Sequence, residues 1–592
     1  MQARQIPRAP PGDGLRAGRL GLMTSFFGRP APFGGPDVLV MLGVVGVVQG
    51  LAGFGAEWAQ PLQRVAHIDM SMWALPGYTL YSLCRGLVAY VFSLAFTLVY
   101  GFWAAKDRRA ALILLPLLDI LQSIPVLGFM PGLVLALVTI FPTRNVGLEL
   151  SAVLMIFTGQ AWNMTFSFYQ SLTSVPAEQH EAASIFRFSW FQRLRWVELP
   201  SATVGLVWNS MMSMAGGWFF LMINEAFVLG DRDFRLPGLG SYMAVAVAEG
   251  DARAIVAAVL AMSVMIIALD QLLWRPLVAW SQKFRVGDAG SVDEVDSWVL
   301  TSLRRSQILR GLGAALRRRA RARRPARPAA GVPAAAMSEP PPAWHGIFSN
   351  VALVGLAVGL IAGALQLLSI LTSVSLDGWR TIAGATLVTL ARVLAATVLA
   401  TVWTVPAGLA IGLSPRLSRV LQPIVQLAAS FPAPMLFPLV VALLKLTGVP
   451  LGWGAVLLML MGTQWYILFN VTAGAMAIPA DLREAATSYR LNLWARVTRV
   501  YLPAVFPFLV TGWVTAAGGA WNASIVTEYV KYGGETLSTY GVGAIISRSA
   551  EKGDFATLAA SVTAMSAAVV LFNRSVWRRC YRLAAERYSL ER

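Results

Sequence analysis

Glu225 and Glu528 are acids at equivalent ends of two apolar runs, 303 positions apart. A carboxylate inside an apolar span is costly, so it marks a solute path, a proton relay or an ion pair. Either each lines a path, or each caps its helix or pairs with Arg85 or Arg392, which fall near the outer ends of the second run of each half. Trp162 and Trp465, with Trp218 and Trp521, stand in the same register and are candidates to shape a cavity, packing being the alternative. The chain carries no G-x-x-x-x-G-K-[ST] phosphate loop, no G-x-S-x-G, no H-E-x-x-H and no CxxC. Cys84 and Cys580 cannot build a disulfide framework, and His67, His180 and His345 are scattered, so no metal cluster is expected. The chain is expected not to be an enzyme, and any chemistry must come from a partner.

The elements that position these residues come in two copies. Pro200 and Pro503, Trp218 and Trp521, Glu225 and Glu528, Gly238 and Gly541, Asp251 and Asp554, and Trp274 and Trp577 all keep the 303 offset. Further upstream Arg85 and Arg392, Gly101 and Gly408, Pro125 and Pro432, and Pro131 and Pro438 are offset by 307. Two blocks in register, separated by a four-residue slip, identify a duplicated unit.

Composition names the solvent. Of 592 residues, 56% are hydrophobic and 13% charged, and mean hydropathy is +0.61. A soluble chain carries about 25% charged residues. A span needs about 20 apolar residues, and in lipid the backbone must satisfy itself, so helices are expected. Six runs per half qualify: 37–55, 79–104, 110–127, 131–158, 204–229 and 254–276, then 350–373, 382–412, 420–445, 452–474, 506–529 and 556–573. The net charge of +18 lies between these runs, which fits the positive-inside rule better than nucleic-acid binding. Residues 1–36 read as a basic cytoplasmic tail before an uncleaved first helix, 37–285 as a first membrane unit, and 346–592 as a second. Between them, 286–345 reads as an Arg/Ala/Pro-rich linker near anionic lipid, with ten arginines and no acid from Arg304 to Arg327. An even number of spans places both termini on the cytoplasmic side.

Each half also carries one polar segment: EAASIFRFSWFQRLRWVELP at 181–200 and EAATSYRLNLWARVTRVYLP at 484–503. Each should form two short helices outside the bilayer, opened after Pro176 or Pro479 and closed at Pro200 or Pro503. An amphipathic interfacial helix is the general alternative. Two copies at identical spacing favour docking.

The segments resemble the EAA loop of ABC-importer permeases: Glu-Ala-Ala, three residues, Gly, nine residues, Ile, one residue, Leu-Pro. Glu181, Ala182, Ala183, Leu199 and Pro200 match it, as do Glu484, Ala485, Ala486, Leu502 and Pro503. Val197 and Val500 replace the Ile, and Arg187 and Arg490 stand where the family has Gly, whose role is a left-handed turn. SFPAPMLFPLVVALLKLTGVPLG, NVTAGAMAIPADLREAA, the Trp-to-Glu runs ending at Glu225 and Glu528, and the Gly-Leu-Gly loop near 238–240 narrow the resemblance to nitrate/sulfonate/taurine-type permeases.

The resemblance implies an all-α polytopic membrane protein, two tandem six-helix type I permease units of about 12 transmembrane helices with pseudo-two-fold symmetry. It also implies a transport subunit in a bacterial inner membrane, coupled through both EAA loops to two ABC ATPase subunits that hold ATP and magnesium. A solute-binding protein would dock near 231–250 and 534–553, and the substrate would be a small anion or organic anion. For such an anion, ionised Glu225 and Glu528 would be repulsive, so they should be paired, neutral or off the path. That subgroup commonly has one unit per chain; fused pairs are familiar in iron and thiamine permeases, which stand as an alternative. From another class, a secondary transporter is also compatible with a repeat.

Overall fold

The computed structural model describes residues 35–61, 67–229, 232–284, 297–306, 309–311, 314–315 and 344–588. Most of the basic tail and most of the Arg-rich linker lie outside the described residues, as do residues 230 and 231. Contacts divide the chain into two units. The first, residues 1–48 with 298–330, holds the start of helix α1 (Gly35–Ala59) and helix α12 (Trp298–Arg305), where Ser306 Oγ donates to Asp37 Oδ1 at 2.8 Å. The second, residues 49–297 with 331–592, contains both copies of the repeat.

In the first copy follow α2 (Leu75–Lys106), α3 (Arg108–Ser123), α4 (Val126–Ile140), α5 (Val146–Thr173), α6 (Ala177–Ile185), α7 (Trp190–Arg193) and α8 (Leu199–Asn224). Strands β1 (Ala226–Leu229) and β2 (Arg232–Arg235) pair antiparallel, before α9 (Leu239–Glu249), α10 (Ala252–Leu269) and α11 (Arg275–Ser281). The second copy repeats the order: α13 (Trp344–Leu371), α14 (Leu376–Leu413), α15 (Pro415–Ser430), α16 (Phe437–Thr447), α17 (Leu451–Met476), α18 (Ala480–Ser488), α19 (Leu493–Arg496) and α20 (Leu502–Thr527). The hairpin β3 (Tyr529–Tyr532) and β4 (Glu535–Ser538) then leads to α21 (Val542–Lys552), α22 (Phe555–Phe572) and α23 (Arg578–Arg587). The architecture is mostly helical, and the two hairpins amend the all-α expectation.

Local chemistry sets the boundaries in parallel. Asp251 and Asp554 cap α10 and α22 through their carboxylates, directly after the left-handed glycines Gly250 and Gly553. Ile124 and Phe431 precede prolines and are extended, with ψ of 125° and 128°. A residue before proline is pushed out of the helical region, so both expected spans break there. The halves of the broken spans, α3 with α4 and α15 with α16, bend by 98° and 82°.

Among the described residues eight helices are long and apolar enough to cross a membrane, or up to ten spans when each bent pair counts as one. About twelve were expected for the whole chain, and eight to ten are found among the described residues. The expected run 131–158 is not one helix, because α4 ends at Ile140 and α5 starts only at Val146, after Pro142 in the turn. One apolar core runs through both copies, joining α2, α5, α8 and α10 of the first to α14, α17, α20 and α22 of the second. The copies are also bonded directly: the backbone N–H of Val126 donates to Asn522 Oδ1 at 2.7 Å.

Candidate functional site

The Glu-Ala-Ala segments form α6 and α18. In each, the third residue points inward: Ala183 and Ala486 are buried, whereas Glu181 and Glu484 are exposed. The helix then ends in a two-bond turn. Phe188 N–H reaches the Ala183 carbonyl at 2.9 Å and Arg187 N–H the Ser184 carbonyl at 3.0 Å; Leu491 to Ala486 at 3.1 Å and Arg490 to Thr487 at 2.9 Å repeat it. This termination requires a left-handed residue, normally glycine. Arg187 has φ 51° and Arg490 φ 48°, and they are the non-glycine residues of positive φ among the described ones. The left-handed turn thus survives the loss of glycine, at about 1 kcal/mol or somewhat more per copy.

Beyond the turn, Ser189 and Asn492 cap α7 and α19 with their side chains. A π-helical turn, Leu194–Glu198 or Val497–Tyr501, then joins each directly to α8 or α20, where Leu199-Pro200 and Leu502-Pro503 occupy the first positions. The exposed face is aromatic, with Phe186, Trp190 and Phe191 in the first copy and Tyr489 and Trp494 in the second.

Helices α8 and α20 carry this geometry to a cavity of about 570 Å³ between the copies. Trp162, Trp465 and Trp521 line it, together with Gln422, Gln426 and Asn470. Among the described residues no Asp, Glu, Lys, Arg or His is on its wall. Amides, hydroxyls, thioethers and aromatic rings form the lining, so a polar solute would meet neutral hydrogen-bond partners there. The Trp162 indole N–H is buried and has no partner. Trp218 lies elsewhere: it is 2% exposed and packs on Gly86, where an added Cβ would stand 2.7 Å from its ring.

Glu225 and Glu528 are fully buried and off the cavity wall. Glu225 accepts from Arg85 Nη1, from Ser82 Oγ at 2.7 Å and from the Gly240 N–H at 2.6 Å. Glu528 accepts from Arg392 Nη1 at 2.8 Å, from Thr389 Oγ1 at 2.8 Å and from the Gly543 N–H at 2.9 Å. Both acids therefore clamp a Gly-x-Gly loop to the second helix of their copy. A Cβ at Gly238 or Gly541 would collide with the clamping carboxylate, which explains glycine at both positions.

Sequence reasoning passed over Glu149, which is fully buried and binds Arg85 from the other side. Its only local signal is an acid within an apolar stretch. Gln422 and Gln426 were also not singled out, because nothing in a local pattern says which helix face meets a cavity. Among the described residues no three His, Cys, Asp or Glu side chains gather as a metal site.

Comparison with known proteins gives the class. The profile of the binding-protein-dependent transport system inner membrane component matches residues 97–273 and again 404–576. These blocks begin 307 apart and end 303 apart, reproducing the slip within the repeat. The chain belongs to this family of membrane transport components, twice over.

Among curated relatives, the bicarbonate transport system permease protein of Synechococcus elongatus is 30% identical over 156 residues, 26% of this chain and 52% of that protein. The putative aliphatic sulfonates transport permease protein of Bacillus subtilis is 25% identical over 150 residues, 25% of this chain and 51% of its own length. The nitrate import permease protein of S. elongatus is 25% identical over 148 residues, 25% of this chain and 52% of its own length. The match thus spans about half the length of each relative.

Proposed function

We propose that this chain forms the translocation path of an ATP-driven importer for a small oxoanion or organic anion. Two ATPase subunits dock from the cytoplasm on the loops at 181–200 and 484–503, with Glu181, Ala182, Ala183, Arg187, Leu199 and Pro200, and Glu484, Ala485, Ala486, Arg490, Leu502 and Pro503, as the coupling residues. A solute-binding protein delivers substrate to the outer loops, and both termini face the cytoplasm of a bacterial inner membrane. ATP and magnesium belong to the ATPase subunits.

The observation that carries this reading is continuity. The second helix of each loop, α7 or α19, passes through one π-helical turn, without a break in helicity, into α8 or α20, and those helices wall the cavity. A displacement of the loop by a closing ATPase pair therefore acts on Trp208, Met211 and Phe220, or on Val514 and Trp521, in the wall. Paired equivalent loops fit a two-fold assembly of ATPase subunits.

The substrate class rests on the relatives, whose names specify bicarbonate, sulfonates and nitrate. The lining agrees: with Glu225 and Glu528 locked onto arginines, no carboxylate repels an anion, and neutral N–H groups can hold it weakly enough to release it. The same absence of carboxylates from the wall disfavours a cationic cargo such as iron or thiamine.

The test is co-purification of the tagged chain in mild detergent beside a Glu181→Ala/Glu484→Ala variant. An ATPase subunit should accompany the parent and be lost or weakened in the variant. If no ATPase accompanies either, the coupling assignment fails and a secondary transporter becomes the better account.

A further inference from the structure

Four arginines of the two loops stand at equivalent positions, Arg187 with Arg490 and Arg193 with Arg496. The second pair serves its own loop. Arg193 Nη2 donates to Ser184 Oγ at 3.3 Å, and Arg496 Nε donates to the Leu491 carbonyl at 2.8 Å. The guanidinium groups of Arg187 and Arg490 are exposed and take no partner among the described residues. Both nevertheless occupy the left-handed backbone that glycine adopts without penalty. Strain kept at both copies, with no internal contact in return, points to a function for the side chain.

Resting on the coupling reading above, we propose that Arg187 and Arg490 are charged anchors that each meet a carboxylate in a groove on the ATPase subunits. The surroundings fit a protein partner. In sequence, Phe186 and Trp190 stand either side of the first arginine and Tyr489 and Trp494 either side of the second, all more than half exposed. Arginine beside tryptophan or tyrosine is the composition of a binding hot spot. Glu178 and Glu181, with Asp481 and Glu484, are exposed on the same segments and would be repelled by an anionic bilayer surface. A groove offering a carboxylate at the arginine, apolar walls for the rings and a cation for Glu181 or Glu484 satisfies the whole face, which a uniformly anionic bilayer cannot do. The family glycine cannot make this contact, so the partner's groove should differ in charge from that of ATPases serving glycine-bearing loops.

The experiment compares the full-length parent with Arg187→Gly/Arg490→Gly and Arg187→Lys/Arg490→Lys variants. Binding to the purified ATPase subunit is titrated in detergent free of anionic lipid, at several salt concentrations, and thermal unfolding of each chain is recorded. The glycine variant should bind about tenfold more weakly or worse, with a flatter salt dependence, as expected when a charge pair is removed from an interface. Its unfolding midpoint should equal or exceed the parent's, and the lysine variant should recover part of the affinity. Equal affinity and equal salt dependence in the glycine variant overturn the proposal. So does unchanged ATPase binding with lost binding to phosphatidylglycerol vesicles, which assigns the arginines to lipid. A parent that binds no ATPase removes the coupling reading, and this proposal with it.

Discussion

Arg85 donates Nε and Nη2 to the two oxygens of Glu149, each at 2.7 Å, while its Nη1 serves Glu225. The second copy has no such triad, because Gly452 stands at the place of Glu149 and leaves Arg392 to Glu528, Thr539 and the Tyr540 carbonyl. Arg85 is fully buried between two acids, whereas the Arg392 side chain is 13% exposed beside one. The two halves are equivalent in backbone and unequal in buried charge.

That inequality orders two variants. Arg85→Ala strands two buried carboxylates and should cost about 3–5 kcal/mol, the penalty for breaking a buried ion pair. Arg392→Ala strands one, whose arginine is already partly exposed, and should cost less. Thermal unfolding of the two purified chains measures the order, and a larger loss for Arg392→Ala would refute this account of the cluster.

The Gly-x-Gly loops should be intolerant of side chains. Gly238→Ala or Gly541→Ala forces a Cβ into the carboxylate of Glu225 or Glu528 and should destabilise by about 1–3 kcal/mol, as overpacking does. Gly518→Ala, where an added Cβ meets nothing within 4 Å, is the matched control and should be tolerated on packing grounds. Equal midpoints for Gly541→Ala and Gly518→Ala would count against the clamp.

The neutral cavity predicts modest effects from single amides. Gln426→Leu and Gln422→Leu each remove a donor from the wall, worth about 1 kcal/mol for a net hydrogen bond, so uptake should fall severalfold rather than vanish. ATP-driven uptake of nitrate, bicarbonate and an alkyl sulfonate into vesicles carrying the whole transporter would measure it. Uptake unchanged for all three would argue against these amides as solute contacts.

Asp107 gives a pH dependence outside the spans. Its carboxylate is held below the usual range, first by the Ser349 hydroxyl, which donates at 2.6 Å and together with the N–H groups of Ala110 and Arg109 outweighs the burial that pushes it up. A folded pKa below the unfolded one stabilises fully above the unfolded value of about 3.9 and loses that contribution as pH falls through the folded value. Acidification from pH 5 to below about pH 4 should therefore lower the unfolding midpoint less in Asp107→Asn than in the parent. Asp107→Ala, which removes the cap of α3, should cost about 1 kcal/mol at neutral pH. A parent and Asp107→Asn with parallel pH profiles would refute the assignment.

Much of this molecule could be read before any coordinates. Spacing alone exposed the repeat, since residues such as Trp218 and Trp521 keep their offset whatever their surroundings. Long uncharged runs required helices, because hydrocarbon offers the backbone no other partner. The place of the turn at Arg187 and Arg490 was legible from the motif spacing, but with arginine where glycine is usual its left-handed form was not, and the structure supplied it. Where proline interrupted a run, local reasoning faltered: 110–127, 131–158 and 420–445 were each expected as one span, and the angles at Pro125 and Pro432 depend on what the two segments pack against.

Which polar residues face solute was beyond the sequence. Glu225 and Glu528 stood out as rare acids in apolar surroundings, yet their partners lie 140 and 136 residues away, and only the folded bundle brings them together. Glu149 joined Arg85 across 64 residues, while the same helix face in the second copy offers only Gly452. Gln422 and Gln426 reached the cavity because α15 turns that face toward α8 of the other copy. Periodicity and composition are local properties, so the sequence by itself determined the elements, their duplication and the loops. Charge pairing and cavity lining depend on contacts between distant segments, and those were decided by tertiary packing.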